Sequence, residues 1–514
     1  MTSSTIDLLQ WLETEPGVWT RSVDEVEHFY SALAKQWEAS GRMFFAITGH
    51  ISITVDAPVS WCTDIETAVD IALQHAWLAL RFDHPTIASR VVWDPRTGTF
   101  TKVYQTLIDA IEERAWLDQT LVKISTGQTG IEWANSDPPA PSYPTLFVIT
   151  PPPATVLSEG SERKTIRRDL VIRSPHDIMD GMGTLMLLNN LVKHASRAYA
   201  QGKSFQLPLF NGLEVHNLSP PYRIAAGVPS SPTEAQQNRL AQLAQEKQKA
   251  TLGVEVLTVP FRSGAVLPGK HQRVYITLPA RNTSRIMQKC KDMGATVTHV
   301  FHAAIPMVVR DIQEPTSYDR PVRYINYILR NERASCMEPY SSMQHPATLY
   351  HSVSGGSLTV DLIVPAAGST RPDEQERKAE FLRIVETMKK FYYGVKNDAD
   401  HAHIAPLIWA GSIPKMPVGS PEPFPLPLPN QTPSVSISSM GRIDPIIPPS
   451  KGAFEAHDPW VTGEELGTGL GLFLGTYRDQ LTLSAAYNDA FHGEAEVIDL
   501  LKRCQEIVYL GLGI

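Results

Sequence analysis

The sequence predicts an α/β protein built in two halves. Its 514 residues exceed what one hydrophobic core ordinarily organises, so two domains of similar size are expected. Strand-like and helix-like segments alternate along both halves in a broadly similar order. Residues 207–232 break this pattern with many Pro, Gly, Ser and Asn, and a polar helix from Glu234 to Lys249 follows; together they read as an interdomain connection. The expected division is 1–215, a connection at 216–255, and 256–514.

In the first half, Ser22 to Gln36 has the pattern of a capped amphipathic helix, with Val26, Phe29, Tyr30 and Leu33 on one side. Phe44 to Val55 reads as a strand, Asp64 to Leu80 as a long helix, Ser89 to Trp93 as a strand and Thr106 to Trp116 as a helix. Pro138 to Pro144 is a loop, and Thr145 to Thr150 and Leu170 to Ile172 are strands. Thr184 to Arg197 is a helix by its apolar spacing. In the second half, Arg273 to Leu278 is a strand, and Asn282 to Met293 a helix stopped by Gly294. Thr296 to Arg310 is a helix that Pro306 should kink or shorten. Strands are expected at Val322 to Leu329, Leu358 to Val364 and Ser434 to Ser439, with a helix at Asp373 to Tyr392 and a proline-rich loop at 411–433. Gly469 to Tyr477 and Leu481 to Tyr487 form a hairpin, and Glu494 to Leu510 closes the chain as a helix.

Composition excludes several classes. Hydrophobic content of 42% and charged content of 19% are ordinary for a globular protein. A net charge of −8 argues against nucleic acid as the main partner. The four cysteines, Cys62, Cys290, Cys336 and Cys504, are widely spaced and read as reduced intracellular thiols. No secretory signal and no apolar run long enough for a transmembrane helix is visible, which points to a soluble, cytoplasmic protein without a membrane partner.

The stretch Ser174-Pro175-His176-Asp177-Ile178-Met179-Asp180-Gly181 links a strand to a helix. Such a turn pushes a side chain out of the backbone envelope. About 0.05 chance occurrences of His-x-x-x-Asp-Gly are expected in a chain of this composition. Alone, the motif leaves two readings open: a helix start capped by Asp180 or Ser174, and a catalytic turn.

His176, Asp180 and Gly181 resemble the HxxxDG motif of the acyl-CoA-dependent acyltransferases related to chloramphenicol acetyltransferase. That superfamily includes plant BAHD enzymes, fungal O-acetyltransferases and peptide-synthetase condensation domains. The run "LPARNTSRIMQKCKDMGATVTHVFHAAI" is similar to the segment that opens the second half of the fungal enzymes. Condensation domains usually carry a second histidine where this chain has Pro175, which favours the free-standing O-acyltransferases. The DFGWG motif of the plant enzymes is missing. Ser439 to Asp444 resembles its fungal counterpart without the Trp and second Gly, as in a subgroup similar to the trichothecene 15-O-acetyltransferases.

The resemblance implies two similar chloramphenicol-acetyltransferase-like domains, each a mixed β-sheet flanked by helices, with an active-site tunnel between them. It implies transfer of an acyl group, acetyl first, from acyl-CoA as co-substrate to a hydroxyl of a secondary metabolite such as a trichothecene-like sesquiterpenoid. The partners are then an alcohol acceptor and acyl-CoA; a monomer is expected, with no bound cofactor or metal. A base must take the hydroxyl proton and a donor must hold the oxyanion. His176 is expected as base. Asp180 is expected to be mainly structural, paired with Arg330 or, second, Arg333, while Gly181 allows close backbone packing. Ser438 or Ser439, at a strand end, is a candidate oxyanion donor beside the alternative of a turn-forming serine. Carrier-dependent condensation or N-acyl transfer, and a non-catalytic binding protein keeping the fold, are the competing readings. His299 and His302 share a helix without a carboxylate at metal spacing, and His401 and His403 read as solvated loop residues. "GTGLGLFLG" lacks a phosphate-loop register and reads as a strand.

Overall fold

The computed structural model describes all residues except 1–6, 59–61, 153–162, 371 and 420–421; the side chains of 57, 58, 62, 63, 163 and 164 are likewise outside it, so the thiol of Cys62 lies outside the described residues. The chain is α/β, with a mixed sheet and its own core in each half. Cys290, Cys336 and Cys504 are buried free thiols.

The first half is organised on a six-stranded sheet in the order Ser450–Lys451, Phe454–Gly463, Ile47–Pro58, Arg163–Ser174, Thr145–Ile149, Leu121–Ile124. The strand that delivers the motif is therefore central and its apolar residues Leu170, Val171 and Ile172 are fully buried. Helices Cys62–Asp83 and Gly181–Gln201 pack together against it. Gly49 allows that approach: a Cβ there would lie 2.2 Å from Thr184 Cγ2. A small antiparallel sheet, Leu12–Glu15, Val18–Ser22, Thr99–Gln105 and Arg90–Asp94, flanks this half.

The second half carries a four-stranded sheet, His271–Leu278, Gln480–Asn488, Leu470–Tyr477, Val435–Arg442, and a three-stranded one, Leu358–Val364, Arg320–Asn326, Glu255–Val256. Asn326 links the two, its side-chain amide donating to the Val435 carbonyl at 2.6 Å. The hairpin expected from the sequence closes through Arg478 and Asp479, both at positive φ (46° and 60°), between paired Tyr477 and Gln480, as a two-residue turn requires.

Three features differ from the sequence reading. Strand Phe454–Gly463, from the second half, sits inside the first half's sheet, so one cut does not separate the halves. Its alternation is interrupted by a bulge between His457 and Trp460, where Asp458 has φ 47°, and by Pro459. Helix Val297–Asp311 runs on through Pro306, because residues 299–310 are buried throughout and packing outweighs the roughly 3 kcal/mol propensity cost. His401 and His403, read as solvated loop residues, lie on helix His401–Ala410.

Candidate active site

The halves meet at a cavity of about 1300 Å³. Its lining includes His176, Asp180 and Gly181 from the motif, Tyr30 and Phe45 from the N-terminal region, and His351, Trp409, Ser438, Ser439 and Glu465 from the second half.

His176 lies in the turn between strand Arg163–Ser174 and helix Gly181–Gln201. The Tyr30 ring stacks on the imidazole, centroids 3.8 Å apart and planes inclined by 17°. Among the described residues Nδ1 is enclosed with no hydrogen-bond partner, whereas Nε2 is neither enclosed nor hydrogen-bonded and so opens on the cavity. Burial, reinforced by the nearby His351, pushes the imidazole pKa down to about 3. The ring is thus neutral near pH 7, with a free basic nitrogen.

The turn is fixed from behind. Lys102 is buried and donates to the Asp177 carbonyl at 2.7 Å and to Glu27 Oε1 at 2.5 Å. Glu27 in turn takes a bidentate pair from buried Arg21, at 2.6 and 2.7 Å. Ser31 donates to the Asp177 carboxylate at 2.8 Å.

Asp180 is fully occupied elsewhere. It caps helix Gly181–Gln201 by accepting from the Gly183 amide at 2.7 Å, and it accepts the Tyr350 amide at 3.0 Å. Arg333 donates to both carboxylate oxygens at 3.0 Å. Burial opposes ionisation, but Arg333 and His351 hold the carboxyl well below the usual carboxylate range. Asp180 makes no hydrogen bond to His176, so the pair is not the His–Asp half of a triad.

The sequence reading placed Arg330 first as the partner of Asp180; it is Arg333. Arg330 turns to Glu332, at 3.3 Å, and to the Val395 carbonyl. Two residues, Asn331 and Glu332, lie between them, and a strand-to-3₁₀ transition at Arg333–Ser335 redirects the chain. The close packing expected at Gly181 falls instead at Gly183. A Cβ at Gly181 would make ordinary contacts at 3.5 Å, whereas at Gly183 it would lie 2.0 Å from the Pro346 carbonyl oxygen.

Ser438 and Ser439 lie on strand Val435–Arg442 and both line the cavity. The Ser439 hydroxyl accepts from Thr298 at 2.9 Å; among the described residues Ser438 has no hydrogen-bond partner and is open. His302 bonds Tyr392 and Tyr324, and His299 Nδ1 takes the Thr296 amide at the start of its own helix. His401 is buried rather than solvated, bonded to Ser352 at 2.7 Å. Among the described residues no cluster of metal-ligating side chains occurs, and no helix is long and apolar enough to cross a membrane.

Tyr30, His351, Trp409 and Glu465 were not singled out from the sequence. Tyr30 reads there only as part of the apolar side of a helix, and no spacing links any of the four to His176. The tertiary contacts alone assemble them: Tyr30 OH lies 3.0 Å from His351 Nε2, and His351 Nδ1 lies 3.7 Å from Asp180.

No family model matches the chain. It is 22% identical to acetyltransferase pigO of Monascus ruber over 98% of this chain and 99% of that protein. It is 23% identical to O-acetyltransferase pigM of the same organism, over 94% and 84% respectively. Its fold is similar to that of the trichothecene 15-O-acetyltransferase TRI3 of Fusarium sporotrichioides, with a TM-score of 0.74, 18% identity and 98% of each chain covered. Fold and kinship together make the chain an acyltransferase of the chloramphenicol-acetyltransferase-like fold, related to fungal acetyltransferases.

Proposed function

We propose that the protein is an acyl-CoA-dependent O-acyltransferase of secondary metabolism, moving an acetyl group onto a hydroxyl of a small-molecule acceptor. The observation that carries this is a neutral imidazole with Nε2 open on a cavity shared by both halves. His176 Nε2 takes the acceptor's hydroxyl proton while the oxygen attacks the thioester carbonyl. The Ser438 hydroxyl, free of protein partners, donates to the resulting oxyanion. Collapse expels the CoA thiolate, which recovers the proton from the imidazolium, giving ester and free CoA. Enclosure between the halves keeps water from the thioester. Asp180 and Arg333 hold the turn and touch no reacting atom. Both walls of the cavity come from one chain, which supports a monomer as the working unit. Pro175, in place of a second histidine, favours this reading over carrier-dependent condensation.

The test is free-thiol release from acetyl-CoA with a panel of alcohols. Acceptor-dependent release is expected in the wild type, and His176→Ala should lower it about 10²–10⁴-fold with the fold intact. A variant retaining near-wild-type turnover removes His176 from the mechanism.

A further inference from the structure

The cavity wall beside His176 is aromatic. Beyond Tyr30, which stacks on the imidazole, comes Phe45, with ring centroids 6.4 Å from Tyr30. Phe44 stacks on Phe45 at 4.3 Å and 28°. Phe29 and Trp409 meet at 4.9 Å, and Trp409 lies 5.7 Å from Tyr30. These rings come from helix Glu25–Trp37, the approach to strand Ile47–Pro58 and helix His401–Ala410, so three segments converge to build one surface. Phe45 is held at φ 60°, a conformation costly for a bulky residue, with its amide anchored on the Glu464 carbonyl at 2.8 Å.

At the far end of this wall sits a carboxyl without a cation. Gly463 backs onto Phe45 and Gly467 onto Phe44, where a Cβ would meet the rings at 3.5 and 3.7 Å. Between them Glu465 lines the cavity and is 8% exposed. One oxygen accepts the Gly467 amide at 2.8 Å, and among the described residues no side chain bonds the other. Its neighbour Glu464 takes Arg173, and Arg42 takes Asp137. The other Glu465 oxygen faces the cavity, where a bound molecule can meet it in place of water.

We propose that the cavity seats a planar, conjugated acceptor bearing at least two oxygens: its face lies along Phe44, Phe45 and Tyr30, the hydroxyl to be acylated reaches His176, and a carbonyl at its other end takes a hydrogen bond from Glu465. This deepens the acyltransferase reading and rests on it for the role of His176, but not for binding. Offset or edge-on contact with several fixed rings rewards a flat π-system beyond its buried area. A saturated ring system gains only dispersion there, so the geometry turns away from a sesquiterpenoid. Burial, only partly opposed by the backbone amides of residues 466 and 467, pushes the Glu465 carboxyl up to about 8, so near pH 7 it holds a proton to donate.

The probes are 2-naphthylmethanol, its 6-acetyl derivative and the saturated decahydro-2-naphthylmethanol, none of which ionises. Each is titrated calorimetrically into the intact protein without acetyl-CoA. The naphthyl alcohol should bind about tenfold tighter than the saturated one, and the ketone a further five- to tenfold tighter, roughly what one buried hydrogen bond gives. Glu465→Leu should erase the ketone's advantage and Glu465→Gln should keep it. Binding of all three within twofold, or a ketone preference that survives Glu465→Leu, overturns the proposal. Should that variant not fold, the wild type decides: the ketone preference should hold below pH 8 and vanish as pH rises through it. Of the groups around Glu465, burial holds the Tyr327 phenol up and His271 down at about 3, and Arg42 holds Asp137 down, so none of these supplies that transition; Glu464, raised by burial beside Arg173, is separated from it by Glu464→Gln, which should leave the transition in place. A preference persisting at pH 9.5 overturns the proposal. Turnover with acetyl-CoA is scored separately: binding as expected without acyl transfer defeats the transferase reading and supports this one.

Discussion

Asp180 shows how a motif residue can be indispensable without touching the reaction. Its carboxylate meets four donors: the Gly183 and Tyr350 amides and two nitrogens of Arg333. Arg333 and Tyr350 belong to the second half, so one carboxylate caps the helix behind His176 and ties the halves together. Both side chains are about 95% buried or more. Removing one member leaves a buried charge uncompensated, at a cost of about 3–5 kcal/mol. Asp180→Ala should therefore lower the thermal midpoint as well as activity. An unchanged midpoint with lost activity would assign Asp180 a direct catalytic role instead. Ser438 stands in the opposite position, on the cavity with no protein partner. If its hydroxyl holds the oxyanion, Ser438→Ala should cut kcat about 10²–10³-fold with little change in KM or melting. Ser439, already engaged by Thr298, serves as the comparison. A larger kcat loss in Ser439→Ala than in Ser438→Ala would reverse the assignment.

At the scale of elements, the turn holding His176 is set by the helix and strand behind it. Helix Glu25–Trp37 starts with a capping box, Asp24 against Glu27, and so places Glu27 beside Arg21 and Lys102. Lys102, on strand Thr99–Gln105, passes that anchorage to the Asp177 carbonyl, one residue beyond His176. Lys102→Met keeps the stem's packing and removes the bond. Turnover should fall about ten- to a hundredfold through misplacement of the imidazole, with acceptor KM nearly unchanged. A variant whose KM rises while kcat holds would show that the cluster shapes the binding wall instead. None of this network was legible in the sequence, because Arg21, Glu27, Lys102 and Asp177 have no shared periodicity. What was legible is what local chemistry dictates. Helix Glu374–Lys396 begins after the Asp373 cap, strand Leu358–Val364 matches its alternation, and the HxxxDG turn announces a strand-to-helix junction. What was not legible depends on distant contacts. Strand Phe454–Gly463 is hidden by its bulge and Pro459, and finds its partner four hundred residues upstream in Ile47–Pro58. Arg333 was separable from Arg330 only by the direction the chain takes after strand Leu329–Asn331.

Across the whole molecule, burial of titratable groups decides how stability depends on pH. Burial pushes His84, His299 and His345 down to about 4, and His176, His271 and His302 to about 3. In the unfolded chain each titrates near 6.5. Between roughly pH 3 and 6.5 the unfolded state therefore binds more protons. The stability these groups contribute is complete above 6.5 and is lost as pH falls. Carboxyls raised by burial oppose this over part of the range: Asp24 at about 7 and Glu465 at about 8, with Glu464 and Asp177 raised as well. They bind protons in the folded state while the unfolded chain has released them, so they favour folding as pH drops from 8 to 4. The six histidines outnumber the raised carboxyls, so net stability declines below 6.5 at about 1.4 kcal/mol per pH unit for each excess proton. Below about 4.5 the opposition ends. Glu27, held at about 2 by Arg21 and Lys102 against the effect of burial, and Asp180 and Asp169, held lower still, then add proton uptake of the same sign. The thermal midpoint should thus slope downward from pH 6.5 and steepen below 4.5. Melting curves at constant ionic strength from pH 8 to 3.5 test this; a midpoint that stays flat or rises between 6.5 and 4.5 would mean that the buried histidines accept protons without unfolding, through water reaching the cavity between the halves.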